Sequence, residues 1–195
     1  MMAAISSIAA IFFVVRRCYC PDGGETLPVF GYVYLIAFGG NMGDREQFAR
    51  GALDRLSLYG RVGRQSRWQR TAPLKSERYD TLEHEEYLNF VFEFATDLRP
   101  DELYRKICVI EDYFGHERTR RWLPRAVDLD LLFWSEVTGD DSEFQKKHTL
   151  TFSDPNGNLR IPHPEVWKRI FLLEMIENEL KIELSWLSSS NQFLH

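Results

Sequence analysis

The chain has 195 residues, 44% of them hydrophobic and 27% charged, with a net charge of −5. That is the balance of one ordinary globular domain and is short for two. The negative charge argues against a broad nucleic-acid-binding surface. Three cysteines, an odd number, argue against a disulfide framework and favour a reducing, cytoplasmic setting.

From the start, Ala3 to Val15 is an apolar run followed by Arg16 and Arg17, too short to span a bilayer comfortably. No positive charge lies between Met1 and the run, and no convincing small-residue cleavage site follows it. Residues 1–30 therefore read as a poorly ordered extension, broken from the rest by Pro21-Asp22-Gly23-Gly24. One domain is expected over residues 31–187, with a tail from 188 to 195.

Tyr32 to Phe38 is apolar and aromatic and ends at Gly39-Gly40, the pattern of a buried strand entering a tight loop. Asp44, with Gln47 three residues on, marks a helix start. That helix is predicted to run to about Tyr59, to bury Phe48, Ala52, Leu56 and Tyr59, and to stop at Gly60. Arg61 to Gln69 reads as a second strand, and the polar stretch Lys75 to Glu86 as a mobile loop.

Tyr87 to Thr96 alternates, with Leu88, Phe90, Phe92 and Phe94 on one face and Asn89, Val91, Glu93 and Ala95 on the other. Pro100 opens a second helix with Leu103, Ile107, Ile110 and Phe114 at helical spacing, closed by Gly115. Cys108 within it reads as a packing residue. The segment from Ala126 to Trp134 is a further strand, and Ile170 to Leu180 a last amphipathic helix with Phe171, Leu172, Met175 and Ile176 as its apolar side. The order strand, helix, strand, strand, helix, strand predicts an α+β fold with a ferredoxin-like βαββαβ core. Its antiparallel sheet would carry two helices on one face, with a C-terminal helical extension.

The chemistry concentrates between Arg121 and Asp130, which supply two arginines, Trp122 and two carboxylates within ten residues. On a strand, Asp128 and Asp130 project from the same face, where they can share hard cations such as Mg²⁺. Arg121 and Arg125 would meet the charge of a polyphosphate. An Asp-x-Asp alone is commonly plain polar alternation, and Trp122 alone a core or surface aromatic. Their convergence raises the site reading. Further on, His163 stands between Pro162 and Pro164, a stiff extended backbone that can aim an imidazole.

Taken in order, several landmarks resemble the 6-hydroxymethyl-7,8-dihydropterin pyrophosphokinase family of folate biosynthesis. They are Ile36-Ala37-Phe38-Gly39-Gly40-Asn41, Arg70-Thr71-Ala72-Pro73-Leu74, Tyr87-Leu88-Asn89, Ile110-Glu111 through Gly115, Arg121-Trp122-Leu123-Pro124-Arg125 with Asp128-Leu129-Asp130, and Pro162-His163-Pro164 leading to Arg169 and Phe171. The resemblance covers about Tyr34 to Trp186. It implies transfer of the β,γ-diphosphoryl group of ATP to the hydroxymethyl group of the pterin, with release of AMP. Asp128 and Asp130 would hold two Mg²⁺ ions, while Arg125 and Arg121 stabilise charge developing in transfer. His163 and Arg169 would serve the triphosphate, Arg118 would close on ATP from its loop, and Glu111 would order the nucleotide or the loop. The pterin would stack between Trp122 and Phe171 and meet Asn89 along its amide-like edge. Tyr87, Thr71, Pro73 and Leu74 would complete its pocket.

The chain departs from the family at His116, where an arginine is usual, at Leu123 for glycine, at Gly40 for serine, and at Cys108 for a polar residue. A titratable cation at 116 would weaken phosphate binding near neutral pH. A non-catalytic pterin-binding or regulatory homologue is the alternative reading, and an RNA-binding ferredoxin-like domain fits neither the charge nor the core-like phenylalanines. A monomer acting on small molecules, away from membranes and nucleic acid, is expected.

Overall fold

A computed structural model describes residues 16–17, 28–73, 85–116, 123–137 and 150–188. A short pair, β1 (Arg16–Arg17) with β2 (Pro28–Val29), precedes the main sheet. The strand β3 (Tyr32–Gly40) lies at the centre of that sheet, flanked antiparallel by β6 (Tyr87–Thr96) and β7 (Asp128–Glu136). Its run of Val, Leu, Ile and aromatic residues suits a strand buried on both faces. The strand β4 (Arg61–Gln65) forms the other edge beside β6, giving the order β4, β6, β3, β7, and β5 (Gln69–Thr71) also pairs with β6.

The predicted single strand from Arg61 to Gln69 is thus two. Ser66 separates them: its N–H donates to the Val91 carbonyl at 2.8 Å while its hydroxyl accepts the Val91 N–H at 3.0 Å. A side-chain oxygen stands in for a backbone carbonyl, and just before it, between Val62 and Gln65, the register with β6 shifts as in a bulge.

The helix α1 (Arg45–Leu56) starts where expected, with the Asp44 carboxylate accepting the Gln47 N–H at 3.0 Å. It ends three positions before Tyr59, because the chain tightens into i to i−3 bonds, Leu58 to Arg55 and Tyr59 to Leu56. Gly60 then passes so close to β6 that a Cβ would stand 2.2 Å from the Ala95 carbonyl oxygen. The second helix, α2 (Pro100–Tyr113), has proline in its first turn, and the Glu102 carboxylate accepts the Arg99 N–H at 2.9 Å. Gly115 closes it at φ 80°.

These two helices cover one sheet face. Tyr34, Ile36, Phe38, Phe90, Phe92 and Phe94 pack there against Ala49, Ala52 and Leu56 of α1 and Leu103, Ile107 and Ile110 of α2. Each fully buried phenylalanine contributes roughly 1.5–3 kcal/mol. The opposite face is buried too, which alternation in β6 did not show. Val33, Leu35, Val91, Leu132 and Phe133 meet Val166, Leu172, Met175, Ile176 and Ile182 of the C-terminal segment. Glu93 faces this side at 3% exposure and is satisfied by two Arg64 N–H groups at 2.7 and 3.0 Å, while Arg64 also donates to the Leu180 carbonyl.

The covering segment begins with the short pair β8 (Phe152–Ser153) and β9 (Arg160–Ile161), followed by a 3₁₀ turn, Val166–Lys168. The expected last helix over 170–180 is shorter: α3 (Ile170–Glu174) passes into a π turn, Met175–Glu179, and α4 (Leu184–Ser188) follows. No helix among the described residues is long and apolar enough to cross a membrane.

Candidate active site

Because β3 runs antiparallel to both neighbours, its end meets their beginnings. Gly39 is paired with Asn89 on one side and Asp128 on the other, and Ala37 with Asp130. Strand alternation then puts Asn89, Asp128 and Asp130 on one face, the face covered by the C-terminal segment. Gly39 leaves the floor between them open: a Cβ there would lie 3.3 Å from Asn89 Oδ1 and 3.9 Å from the Asp128 Cβ.

Above this floor is a cleft of about 700 Å³. One wall carries Arg125, Asp128 and Asp130, a second His163, Arg169 and Phe171, and a third Thr71, Pro73 and Tyr87, with Asn89 below. Ten residues singled out from the sequence, spread from Thr71 to Phe171, therefore line a single cavity. Leu74, Arg118, Arg121 and Trp122 lie outside the described residues.

The two aspartates sit among cations. The Arg125 guanidinium donates to Asp128 Oδ1 at 2.7 Å, and that of Arg169 to Asp130 Oδ2 at 2.6 Å. His163 Nε2 lies 3.7 Å from Asp130 Oδ1. The Glu165 N–H donates to His163 Nδ1 at 3.3 Å, so the neutral ring carries its proton on Nε2, facing Asp130. The His163 backbone N–H donates to the Leu132 carbonyl at 3.0 Å, which fixes the Pro-His-Pro segment to β7.

Burial raises the Asp128 pKa and repulsion from Asp130 raises it further, while Arg125, through charge and hydrogen bond, and His116 pull it down without offsetting the rise. Two adjacent carboxylates of this kind are a hard-oxygen donor pair whose mutual repulsion a divalent cation relieves, so they fit Mg²⁺. Tyr87 reports the same cluster. Burial raises its phenol, with Arg125 and Arg169 lowering it and Asp128 raising it.

On the floor of the cleft the Asn89 amide is oriented: its Nδ2 donates to Thr71 Oγ1 at 2.7 Å. One amide hydrogen is thereby committed, and Oδ1 faces the Gly39 gap. Phe171 is half-buried at the cleft and packs on the edge of the second core.

Two further side chains lie outside the cleft lining. Glu111, expected to order the nucleotide or the loop, is 4% exposed and accepts the Leu129 N–H at 2.8 Å. His116, expected as a weak phosphate cation, is turned inward, its Nδ1 3.9 Å from Glu111 Oε2 and 3.4 Å from the Val127 carbonyl. Glu111 from α2 and His116 just past its end thus meet the backbone at Leu129 and Val127, where β7 begins. Cys108 on α2 is half-buried and away from the cleft lining.

Sequence reasoning missed Gly39 and Asn41 as contributors, and Glu165 and Lys168, which pair at 3.1 Å on the cleft wall. The Gly-Gly-Asn ending of β3 was the available signal, but its partners are distant in the chain.

A family described as 7,8-dihydro-6-hydroxymethylpterin-pyrophosphokinase matches residues 35–180. A protein of Bacillus subtilis named 2-amino-4-hydroxy-6-hydroxymethyldihydropteridine pyrophosphokinase is 31% identical over 146 residues, 72% of this chain and 74% of that protein. A folate synthesis bifunctional protein of Chlamydia trachomatis is 34% identical over 142 residues, 72% of this chain but 29% of its own length. The bifunctional protein FolKE of Lactococcus lactis subsp. cremoris is 27% identical over 172 residues, 82% of this chain and 44% of its own length. The chain thus spans less than half the length of these two bifunctional relatives.

Proposed function

The chain belongs to the 7,8-dihydro-6-hydroxymethylpterin-pyrophosphokinase family, and from that premise we propose that it catalyses diphosphoryl transfer from ATP to 6-hydroxymethyl-7,8-dihydropterin in folate synthesis. The hydroxymethyl oxygen bonds to the β-phosphorus and gives up its proton to solvent, the bond from that phosphorus to the α-bridging oxygen breaks, and AMP leaves with the bridging oxygen. The observation that carries this reading is the cleft itself. The paired carboxylates, two guanidinium groups and an imidazole share one cleft with an oriented amide, a phenol and an aromatic ring.

Asp128 and Asp130 are the residues to hold Mg²⁺, two ions in this proposal, which when bound offset phosphate charge and align the polyphosphate. The chain's own groups do the rest. Arg125 and Arg169, now held by the aspartates, supply guanidinium donors to phosphate oxygens as the ligands arrive. His163 directs an N–H from Nε2 at the same charge. On the ring side, Phe171 offers a stacking surface, and Asn89 Oδ1 accepts from an N–H on the pterin edge. Thr71, Pro73 and Tyr87 enclose that edge and exclude water from it. Leu74, Arg118, Arg121 and Trp122 are proposed to complete the site, and the active unit to be a monomer.

Incubating the protein with Mg²⁺, ATP and the reduced hydroxymethylpterin should produce AMP and the pterin diphosphate. Formation of ADP, or no pterin-dependent turnover, overturns the assigned reaction. Tight pterin binding without AMP would identify a non-catalytic homologue instead.

A further inference from the structure

Asn41 does not line the cleft, yet it controls a residue that does. It is 2% exposed and grips Arg125 at two points. The Asn41 backbone N–H donates to the Arg125 carbonyl at 2.8 Å, and the Asn41 side-chain Oδ1 accepts the Arg125 backbone N–H, also at 2.8 Å. One residue earlier, Gly40 approaches so closely that a Cβ would stand 2.5 Å from the Ala126 carbonyl oxygen. The end of β3 therefore fixes the backbone of Arg125 and Ala126 immediately before β7. From that fixed backbone the Arg125 guanidinium reaches Asp128.

The amide also carries a cost. Asn41 Nδ2 is buried with no hydrogen-bond partner among the described residues, and an unsatisfied buried donor costs on the order of 1–3 kcal/mol. Leucine, of similar volume, would avoid that cost. What asparagine alone adds is the oxygen that accepts the Arg125 N–H.

We propose that Asn41 is a positioning residue for the transfer step, setting through the Arg125 backbone where the guanidinium meets the polyphosphate. This rests on the activity proposed above. A cation displaced by about an ångström loses up to about 100-fold in rate, so the clamp acts on turnover and leaves the ring subsite alone.

The test compares Asn41→Leu, which removes the acceptor, with Asn41→Asp, which keeps an oxygen at the same place. In the AMP-release assay, kcat of the leucine variant should fall by roughly 10- to 100-fold, while its affinity for the dihydropterin, read by fluorescence titration, stays within about twofold of wild type. Asn41→Asp should recover most of the turnover. Wild-type turnover in Asn41→Leu overturns the proposal. So does a parallel loss of turnover and pterin affinity that Asn41→Asp does not recover, since that marks a merely structural role. If the wild-type protein forms no AMP, the activity reading fails, and the clamp is read separately from binding of Mg²⁺ with α,β-methylene-ATP. Asn41→Leu should then bind the analogue more weakly than wild type and Asn41→Asp should restore it; equal affinity in all three overturns the clamp.

Discussion

Arg169 donates to Asp130 at 2.6 Å from thirty-nine positions further along the chain, joining the C-terminal segment to β7 across the cleft. The bond keeps a cation at the place where charged ligands must arrive. Were Mg²⁺ held by this carboxylate, as proposed, the guanidinium would be free to meet phosphate. Lysine cannot copy this, because it lacks the planar fork that serves carboxylate and phosphate in turn. Arg169→Lys should therefore raise the KM for ATP by about tenfold, one lost charge-assisted hydrogen bond, with pterin affinity unchanged. Steady-state kinetics with each substrate varied in turn check this, and an unchanged KM for ATP would place Arg169 outside the nucleotide subsite.

Asp128 has its pKa raised in the folded protein by burial and by Asp130. A carboxyl with a raised folded pKa favours the fold while protonated, and that contribution is lost as pH rises through the folded value. In metal-free protein Asp128→Asn should thus melt no lower than wild type at pH 8. Its advantage should shrink as the pH is brought down toward the carboxylate range. Added Mg²⁺ should raise the melting temperature of wild type but not of the variant, and should restore no turnover in the variant. A variant that melts well below wild type at pH 8 without metal would show that the Arg125 ion pair outweighs the burial.

Much of this was legible along the chain, for reasons of period. Leu88, Phe90, Phe92 and Phe94 repeat every second residue and do share one face; Asp128 and Asp130 do the same beside the cleft. Local caps such as Asp44 were legible because the partner lies three residues away. What stayed hidden depends on partners far along the chain. Ser66 breaks a strand only because Val91 sits opposite it, and the second buried face exists only because residues 166–187 fold back over it. The same holds at the site, where His116 turns inward to Glu111 and Val127, and Asn41 is bonded to Arg125, 84 positions further on.

Glu179 offers a pH test away from the cleft. Burial acts to raise its pKa, but the Arg67 backbone N–H and charge, with a hydrogen bond from Gln69 at 2.9 Å, outweigh it and hold the carboxyl below its ordinary value. A lowered folded pKa means stability that is present above the ordinary carboxylate pKa and is lost as pH falls through the folded one. Glu179→Gln should lower the melting temperature by about 2–4 °C at pH 7. The gap should close on acidification below the ordinary carboxylate range. A gap that persists there would assign the loss to altered packing of the π turn on β4 and β5.

Gly39 is where the two halves of the cleft meet, so it can be used to ask whether they act as one site. It adopts no positive φ, and alanine is tolerated by its backbone; only the space matters. The added methyl would press on Asn89 Oδ1 at 3.3 Å and stand 3.9 Å from the Asp128 Cβ. The first distance is tight and the second is ordinary contact, so the ring side should suffer and the carboxylate side should not. Gly39→Ala should weaken dihydropterin binding by about tenfold, the scale of one displaced polar contact, with Mg²⁺ affinity near wild type. Fluorescence titration of the pterin and calorimetric titration of the metal separate the two. Unchanged pterin affinity would mean that the ring does not reach the β3 floor, and the proposed acceptor role of Asn89 would fall with it.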